Sequence, residues 1–276
     1  MVRMKIYACL VALAALAVSQ AVLADVIHYV RFQHDGGVSY GILRGAEIAE
    51  LSDAPYRVSA ETGRTFARQA VRLLAPSEPS KVIAVGLNFA SHAGQAGAAK
   101  PELFAKLPSS LVGHEAVVEL PRGADNLHFE GELVVVIGRR ARDITAAEAP
   151  AYILGVTAGN DLSERSWQSS DLQWLRAKAA DGFGPAGPAI AVGLDYNDLL
   201  IETRVNGQVK QSESSAKLLH SVDEIVAYAS RYFTLEPGDM IFTGTPGRTE
   251  RLSVGDTVDI TIEGIGTLSN KIGRRP

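Results

Sequence analysis

The sequence predicts a β-rich α+β fold, arranged as a roll with a small N-terminal domain. Two observations carry this prediction. Short runs of β-branched and apolar residues recur along the chain, and turns rich in glycine, proline, asparagine and aspartate separate them. These runs are not regularly interleaved with long amphipathic helices, as a parallel sheet with crossover helices would require. We therefore do not expect a Rossmann or TIM-barrel architecture.

The composition is that of an ordinary globular protein. The chain has 276 residues, of which 46% are hydrophobic and 21% are charged, and this length is enough to bury a large core. The formal net charge is −4. Because a nucleic-acid-binding protein normally carries a basic surface, we do not expect nucleic acid as a partner.

Residues 1–24 have the pattern of a secretory signal peptide. Arg3 and Lys5 precede an apolar run over residues 6–18, and small residues lead to a cleavage position after Ala24. The alternative is an uncleaved membrane anchor. The apolar run, however, is shorter than the roughly 20 residues that a spanning helix needs.

Cleavage at that position has three consequences. The mature protein would begin near Asp25, would be periplasmic or secreted, and would have no stable membrane association. Its net charge would fall to −6, because two cations and no acid are removed. Cleavage also removes Cys9, the sole cysteine of the chain, so we expect no disulfide and no thiolate metal site.

Residues 25–77 are expected to form the small N-terminal domain. Two β-rich runs, over residues 26–32 and 38–43, flank a turn that contains adjacent glycines. A helix is expected over about residues 61–74. Residues 75–80 have the proline- and serine-rich composition of a linker, and the domain boundary is placed within this segment.

Residues 78–276 are expected to form the main domain. Capping-box spacings predict two helices, one beginning at Thr145 and one at Ser221. Residues 181–188 contain too much glycine and proline for regular structure to be expected. The predicted strands of this domain are residues 82–86, 133–137, 152–158, 240–243 and 257–262.

Two carboxylates at the start of an apolar strand are the most informative local feature. Side chains two apart on a strand point the same way, so Glu130 and Glu132 would aim at one point. Asp161 follows the next predicted strand and is the best candidate for a third ligand of a hard divalent cation. The alternative is that both glutamates face solvent on an edge strand while Asp161 caps a turn.

Three further features could carry chemistry, although each also has an ordinary structural explanation. His92 lies just beyond a buried strand and could act as a base, or it could make a local hydrogen bond. Arg165, Gln168 and Lys178 could bind an anionic oxo-acid, or they could form a solvated helix face. Residues 243–247 have the sequence Thr-Gly-Thr-Pro-Gly, which suits close approach to a ligand or a tight turn.

Taken in order, eight segments resemble the fumarylacetoacetate hydrolase family. They cover nearly everything from Lys81 onwards, whereas the residues before the linker match the family's variable N-terminal domain only loosely. The segments are VGLNFASH (85–92), PELFAK (101–106), FEGELVVVIG (129–138), NDLSER (160–165), Lys178 with DGFGPAGP (181–188), VNGQ (205–208), PGDMIFTGTP (237–246) and IEGIGTLSN (262–270).

This resemblance implies a mixed β-sandwich roll, a homodimer, and an enzyme that depends on Mg²⁺, with Mn²⁺ or Ca²⁺ as alternatives. It implies a hydrolase that breaks a carbon–carbon bond in a 2,4-dioxo acid such as an acylpyruvate or fumarylpyruvate. The implied site consists of the metal ligands Glu130, Glu132 and Asp161, the catalytic residues His92 and Lys178, and the substrate contacts Arg165, Gln168, Thr245 and Lys106.

The chain departs from the family pattern at one catalytic position. Hydrolytic members tend to have glutamate three residues after the histidine, where this chain has Gln95. Glutamine can orient a water molecule but cannot accept its proton at neutral pH. The alternatives that stay open are therefore a metal-dependent isomerase, tautomerase or decarboxylase of an oxo-acid, and an exported oxo-acid-binding protein without catalysis.

Overall fold

The computed structural model describes residues 26–94, 97 and 99–274. The predicted signal peptide and Gln95 lie outside these residues. Within the described part, the fold is α+β and rich in strands, as expected. The N-terminal strands are β1 (Ile27–His34), β2 (Gly37–Arg44), β3 (Glu47–Leu51), β4 (Glu61–Ala67) and β5 (Arg72–Leu73).

The helix expected over residues 61–74 is wrong. This segment forms β4, a 3₁₀ turn at Arg68–Ala70, and β5. The sequence does not predict a strand here, because β4 is almost wholly exposed and therefore lacks an alternating apolar pattern. Its conformation is decided by the open edge of β3, against which Phe66 pairs with Ile48. The Phe66 ring also packs on Phe32, with centroids 5.1 Å apart.

The segment over residues 75–80 is packed against the rest of the chain. Ala75, Pro76 and Ser77 are buried, and the Ser77 hydroxyl donates a 2.6 Å hydrogen bond to the carbonyl of Gly238. The placement of a domain boundary within this segment stays a prediction.

The remaining strands follow after residue 80. They are β6 (Val82–Gly86), β7 (Glu102–Lys106), β8 (Leu111–Val112), β9 (Val117–Leu120), β10 (Leu127–His128), β11 (Gly131–Ile137), β12 (Ile153–Asn160), β13 (Ser163–Glu164), β14 (Gly184–Val192), β15 (Leu200–Val205), β16 (Gln208–Ser214), β17 (Met240–Phe242), β18 (Thr257–Ile262) and β19 (Gly266–Arg274). All five strands that the sequence predicts in this region are present.

One mixed sheet joins the N-terminal strands to the main domain. Its order is β4-β3-β2-β1-β14-β12-β11-β17-β6-β7, with β5 beside β1 and β8 beside β14. Strand β17 runs parallel to β6, whereas β11, β12 and β14 pair antiparallel. A second sheet of order β16-β15-β18-β19-β9 packs against the first, and the largest apolar cluster lies between them. The arrangement is the expected mixed sandwich roll.

The expectation that residues 181–188 lack regular structure is wrong from Gly184 onwards. Strand β14 lies inside the large sheet, between β1 and β12. Small residues are required there, because a Cβ atom on Gly184 would meet the Ser110 hydroxyl at 2.9 Å. A register shift in the pairing with β12 lies beside Pro188 and accommodates this proline, which has no N–H to donate.

Helices are few and short among the described residues. Ser221 forms the predicted capping box with Glu224 and begins α4 (Val222–Tyr232). The spacing at Thr145 also forms its hydrogen bonds to Glu148, but only a 3₁₀ turn at Ala149–Ala151 follows. No helix in this part of the chain is both long and apolar enough to cross a bilayer. The helices are α1 (Ala90–Ala93), α2 (Arg165–Ser170), α3 (Leu175–Ala179) and α4 (Val222–Tyr232).

Candidate active site

Three carboxylates converge at the ends of two central strands. Glu130 and Glu132 lie at the start of β11, and Asp161 follows the last residue of β12. These strands are antiparallel neighbours, and the Asp161 amide donates a 2.9 Å hydrogen bond to the Glu130 carbonyl. One oxygen from each carboxylate lies within 4.8 Å of the other two. The three residues are at most 4% exposed, so the solvent-facing alternative is wrong.

Gly131 allows the two glutamates to approach the second sheet. A Cβ atom at this position would lie 2.0 Å from the hydroxyl of Thr203 on β15. The Gly131 amide donates a 3.1 Å hydrogen bond to the Gln211 side chain, and its carbonyl accepts one of 2.9 Å from Thr245. The backbone between the two glutamates is therefore fixed by contacts with β16 and with the loop after β17.

Three cations surround the carboxylates. The Lys178 Nζ donates to Glu130 Oε2 and to Asp161 Oδ2, at 2.6 Å each. The Lys106 Nζ donates to Asp161 Oδ1 at 2.6 Å and also to the carbonyl oxygens of Lys178 and Phe183. Because it is fully buried behind Asp161, Lys106 supports this carboxylate. It does not line the cavity that opens above the three carboxylates.

Arg165 completes this set of cations from the first turn of α2. Its guanidinium donates to Glu130 Oε1 at 2.5 Å and to the Gln168 side-chain oxygen at 2.7 Å. The predicted substrate contacts Arg165 and Gln168 are thus brought beside the predicted metal ligands. Thr245 also lines the cavity, although its hydroxyl already bonds to Gly131 and Gln211.

The pKa values of Glu130 and Glu132 are shifted in opposite directions. Burial opposes ionisation of Glu130, but Lys178 and Arg165 outweigh it and lower the pKa of this carboxyl to about 2. The pKa of Glu132 is instead raised well above its ordinary value, by burial and then by the negative charges of Asp161 and Glu130. Its main compensation is a 2.8 Å hydrogen bond from the Gly244 amide.

The chemistry of this donor set fits a hard divalent cation. Carboxylate oxygens are the ligands that such ions prefer, and three of them are already gathered here. The raised pKa of Glu132, caused first by burial and then by the negative charges of Asp161 and Glu130, agrees with this, because a bound cation would favour its ionised form. Each carboxylate oxygen has two lone pairs, so the hydrogen bonds from Lys178 and Arg165 leave room for coordination.

His92 lies on α1 and faces the same carboxylates. Its Nδ1 is 2.7 Å from the carbonyl oxygen of Gly247. Because a carbonyl only accepts hydrogen bonds, the proton of the neutral imidazole lies on Nδ1, and the Nε2 lone pair of that tautomer is free. That Nε2 lies 3.9 Å from Glu130 Oε1, at the wall of the cavity.

A cavity of about 270 Å³ opens above the acidic cluster. Its apolar side was not predicted from the sequence; there the rings of Phe104 and Trp174 meet edge to face with centroids 5.4 Å apart. Phe104 occurs in a segment that resembles the family, but nothing in the sequence alone places its side chain. The lining residues are Val85, Gly86, Leu87, His92, Phe104, Glu130, Glu132, Asp161, Arg165, Gln168, Trp174, Lys178 and Thr245.

Comparison with known proteins identifies two family profiles in the chain. Residues 81–273 match the profile described as fumarylacetoacetate (FAA) hydrolase, C-terminal. Residues 27–76 match the profile described as Rv2993c-like, N-terminal. The site residues named above all lie within the first of these matches.

Individual relatives extend over most of the chain. Protein Rv2993c of Mycobacterium tuberculosis is 45% identical over 232 residues, which cover 82% of this chain and 88% of that protein. The mitochondrial oxaloacetate tautomerase Fahd2a of Rattus norvegicus is 34% identical, covering 88% of this chain and 79% of that protein. The solved structure of a 2-hydroxyhepta-2,4-diene-1,7-dioate isomerase from Mycobacterium marinum is 42% identical and has a TM-score of 0.85, covering 90% of this chain and 99% of that one.

Proposed function

The chain belongs to the fumarylacetoacetate hydrolase family, and from this membership and the site geometry we propose that it is a divalent-metal-dependent tautomerase or isomerase of a 2-oxo acid. The observation that carries the proposal is the buried group of Glu130, Glu132 and Asp161 beneath a small cavity. Mg²⁺ is the proposed ion, and Mn²⁺ and Ca²⁺ are the alternatives. A bound divalent cation would polarise the 2-oxo group and stabilise negative charge on its oxygen.

The side chains of the cavity suit an anionic oxo-acid. The Lys178 ammonium has three N–H donors and uses two on Glu130 and Asp161, so the third can donate to a substrate oxygen. Arg165 and Gln168 add donors on the same side. These groups would hold the substrate carboxylate and stabilise charge that develops on the oxo group.

His92 can carry the proton that such a reaction moves. Keto–enol tautomerisation transfers one proton between carbon 3 and the oxygen on carbon 2, so a single base can remove it and return it. The free Nε2 of His92 faces the cavity and can take this role. No second general base is needed, which agrees with glutamine at position 95.

Hydrolysis of a carbon–carbon bond in a 2,4-dioxo acid is the second candidate. The same free Nε2 favours it, because this nitrogen could accept a proton from an attacking water molecule. Against it, Gln95 cannot share that task. One of the relatives described above is named as a tautomerase and another as an isomerase, and this supports placing tautomerisation first.

Enol-oxaloacetate is the substrate with which to test the proposal, since the rat relative is named for oxaloacetate. Decay of the enol absorbance is followed with metal-stripped protein, with and without Mg²⁺. We expect Mg²⁺-dependent acceleration, and a loss of about 10²-fold in His92→Asn. His28→Asn, on β1, is the matched control. Lack of acceleration with Mg²⁺, Mn²⁺ and Ca²⁺ would overturn the proposal.

Pyruvate release from acylpyruvates separates the alternatives. Tautomerase activity without pyruvate release supports the first candidate, and we expect Gln95→Glu to raise pyruvate release if the missing carboxylate limits hydrolysis. Rapid release by the wild type would instead make the protein a hydrolase. Recovery of every substrate unaltered, with binding retained, would identify a non-catalytic oxo-acid-binding protein.

Export and dimerisation complete the proposal. We propose that residues 1–24 direct export to the periplasm or the medium, and N-terminal sequencing of the isolated protein tests it. A first residue near Asp25 is expected, and an intact Met1 would contradict export by this route.

We further propose a homodimer, which sedimentation equilibrium would detect as twice the mass of the mature chain.

A further inference from the structure

Strand β16 supports the active site from the second sheet. The turn that leads into it is one of the segments resembling the family, yet the proposed reaction gives this strand no role. Gln211 and Glu213 lie two apart on β16, so their side chains leave the same face. Both reach the loop after β17, Gln211 directly and Glu213 through Ser91 on α1.

The two contacts hold opposite sides of one peptide group. The carbonyl oxygen of Pro246 accepts a 2.5 Å hydrogen bond from Gln211 Nε2. On the other side, the N–H of Gly247 donates a 3.0 Å hydrogen bond to the Ser91 hydroxyl oxygen. The Ser91 hydroxyl in turn donates a 2.5 Å hydrogen bond to Glu213 Oε2. The plane of the Pro246–Gly247 peptide is therefore fixed from both sides.

The carbonyl that His92 contacts belongs to the next peptide group, so holding the Pro246–Gly247 peptide restricts the directions in which this carbonyl can point. Gly247 has a φ of +61°, a left-handed conformation that glycine adopts without strain. Its carbonyl oxygen then faces Nδ1 of His92 at 2.7 Å. The other tautomer would place a nitrogen lone pair against an oxygen lone pair, and this arrangement is disfavoured.

We propose that Glu213 and Ser91 are positioning residues that hold the Gly247 carbonyl, so that His92 keeps its proton on Nδ1 and presents a free Nε2 to the cavity. Glu213 accepts a hydrogen bond from the Ser91 hydroxyl. The hydroxyl lone pairs are thereby oriented towards the Gly247 amide. The tautomer is a property of the folded protein alone, whereas its value for catalysis rests on the proposed function.

Nitrogen NMR of ¹⁵N-histidine-labelled, metal-free protein tests the tautomer without any reaction. In alkaline buffer, where imidazoles are neutral, the wild type should show a protonated Nδ1 and an unprotonated Nε2 for His92. The His92 signals are assigned by their loss in His92→Asn. In Ser91→Ala and Glu213→Ala we expect a mixture of tautomers.

Two variants separate positioning from general damage. Ser212→Ala, at an exposed neighbouring position on β16, should leave the tautomer and the melting temperature unchanged. Glu213→Gln keeps a side-chain oxygen that can accept the hydrogen bond from the Ser91 hydroxyl, so it should retain the wild-type tautomer better than Glu213→Ala. An unchanged tautomer in both folded variants, Ser91→Ala and Glu213→Ala, would overturn the proposal.

The kinetic readout follows the same logic. In Ser91→Ala, kcat should fall about tenfold while KM changes little, because misplacement of a reacting group by a fraction of an ångström costs rate. A rise in KM at constant kcat would overturn a positioning role. If the tautomer shifts as expected but no variant or wild type turns over a 2-oxo acid, the proposed function fails and the positioning role stands.

Discussion

The Nζ atom of Lys178 lies 2.6 Å from Oδ2 of Asp161, and both side chains are buried. The two residues come from α3 and from the end of β12, which are separated by the whole of α2. Burial alone would lower the pKa of Lys178, but Asp161 and Glu130 raise it, so the ammonium stays charged. A charged lysine of this kind can balance the carboxylates and still donate to a substrate.

Replacement of this lysine should be costly both for activity and for stability. In Lys178→Met we expect loss of the Mg²⁺-dependent activity. The free energy of unfolding without metal should fall by about 3 kcal/mol, because buried carboxylates lose their partner. Addition of Mg²⁺ should then raise the melting temperature more than in the wild type. Differential scanning calorimetry with and without Mg²⁺ measures the loss of stability and the response to Mg²⁺, and the enol-oxaloacetate assay measures the loss of activity.

Lys210→Met is the matched control, since Lys210 pairs with Glu250 at the surface. Its cost should stay below about 1 kcal/mol. A Lys178→Met protein as stable as this control, with the same response to Mg²⁺, would contradict the role assigned to the buried lysine.

Glu132→Gln should separate metal binding from folding. Because burial and like charges raise the pKa of Glu132, a neutral amide should cost the metal-free protein little or even stabilise it. Stabilisation by Mg²⁺, about 2.7 kcal/mol at a hundredfold excess over Kd in the wild type, should disappear. Thermal unfolding over a Mg²⁺ series provides the measurement, and an undiminished Mg²⁺ response would exclude Glu132 as a ligand.

Gly131→Ala should disturb the same site through packing. The new Cβ atom would meet Thr203 Oγ1 at 2.0 Å, so β11 or β15 must move. We expect a loss of about 1–3 kcal/mol in unfolding free energy together with weaker Mg²⁺ binding. The Thr203 hydroxyl is buried and has no hydrogen-bond partner in the described part of the chain. Its removal in Gly131→Ala/Thr203→Ala should therefore restore part of both losses, whereas additive losses would rule out this clash as the cause.

The stability of the protein should fall on acidification, in part because Glu50 on β3 becomes protonated. Burial alone would raise its pKa, but hydrogen bonds from Thr62 and Ser39, together with Arg64, lower the pKa below its ordinary value. The carboxylate therefore stabilises the folded state at neutral pH. That contribution is lost as the pH falls from about 4.3 through the lower folded-state pKa.

Glu50→Gln should cost about 1 kcal/mol at pH 7, and the difference from the wild type should shrink below about pH 4. Urea titrations at several pH values measure it. Glu47→Gln, at an exposed position of the same strand, is the control and should change little. A difference that grows on acidification would have the wrong sign and would refute this assignment.

Most of the acidic site could be predicted from the sequence because strand periodicity is strict. Glu130 and Glu132 had to share a face, and the apolar run after them had to be buried. The position of Asp161 beside them depends on the antiparallel pairing of β11 with β12, which the sequence does not encode locally. Local sequence therefore made Asp161 only the best candidate for a third ligand, and the resemblance to a family made it an expected one.

Tertiary contacts decided the parts that the sequence did not predict. Strand β4 has no apolar face of its own and forms only because β3 offers an open edge. Strand β14 tolerates Pro188 because a register shift in its pairing with β12 lies beside this residue. The aromatic wall of Phe104 and Trp174 joins residues 70 positions apart, and no local pattern reports such a contact.

The central claim is that Glu130, Glu132 and Asp161 bind one divalent cation. A crystal of the protein soaked with Mn²⁺, measured near the manganese absorption edge, tests it most directly. We predict a single anomalous peak in the cavity, within about 2.0–2.6 Å of an oxygen from each of the three carboxylates. A crystal at saturating Mn²⁺ with no peak there, or with a peak out of reach of Asp161, would contradict the account.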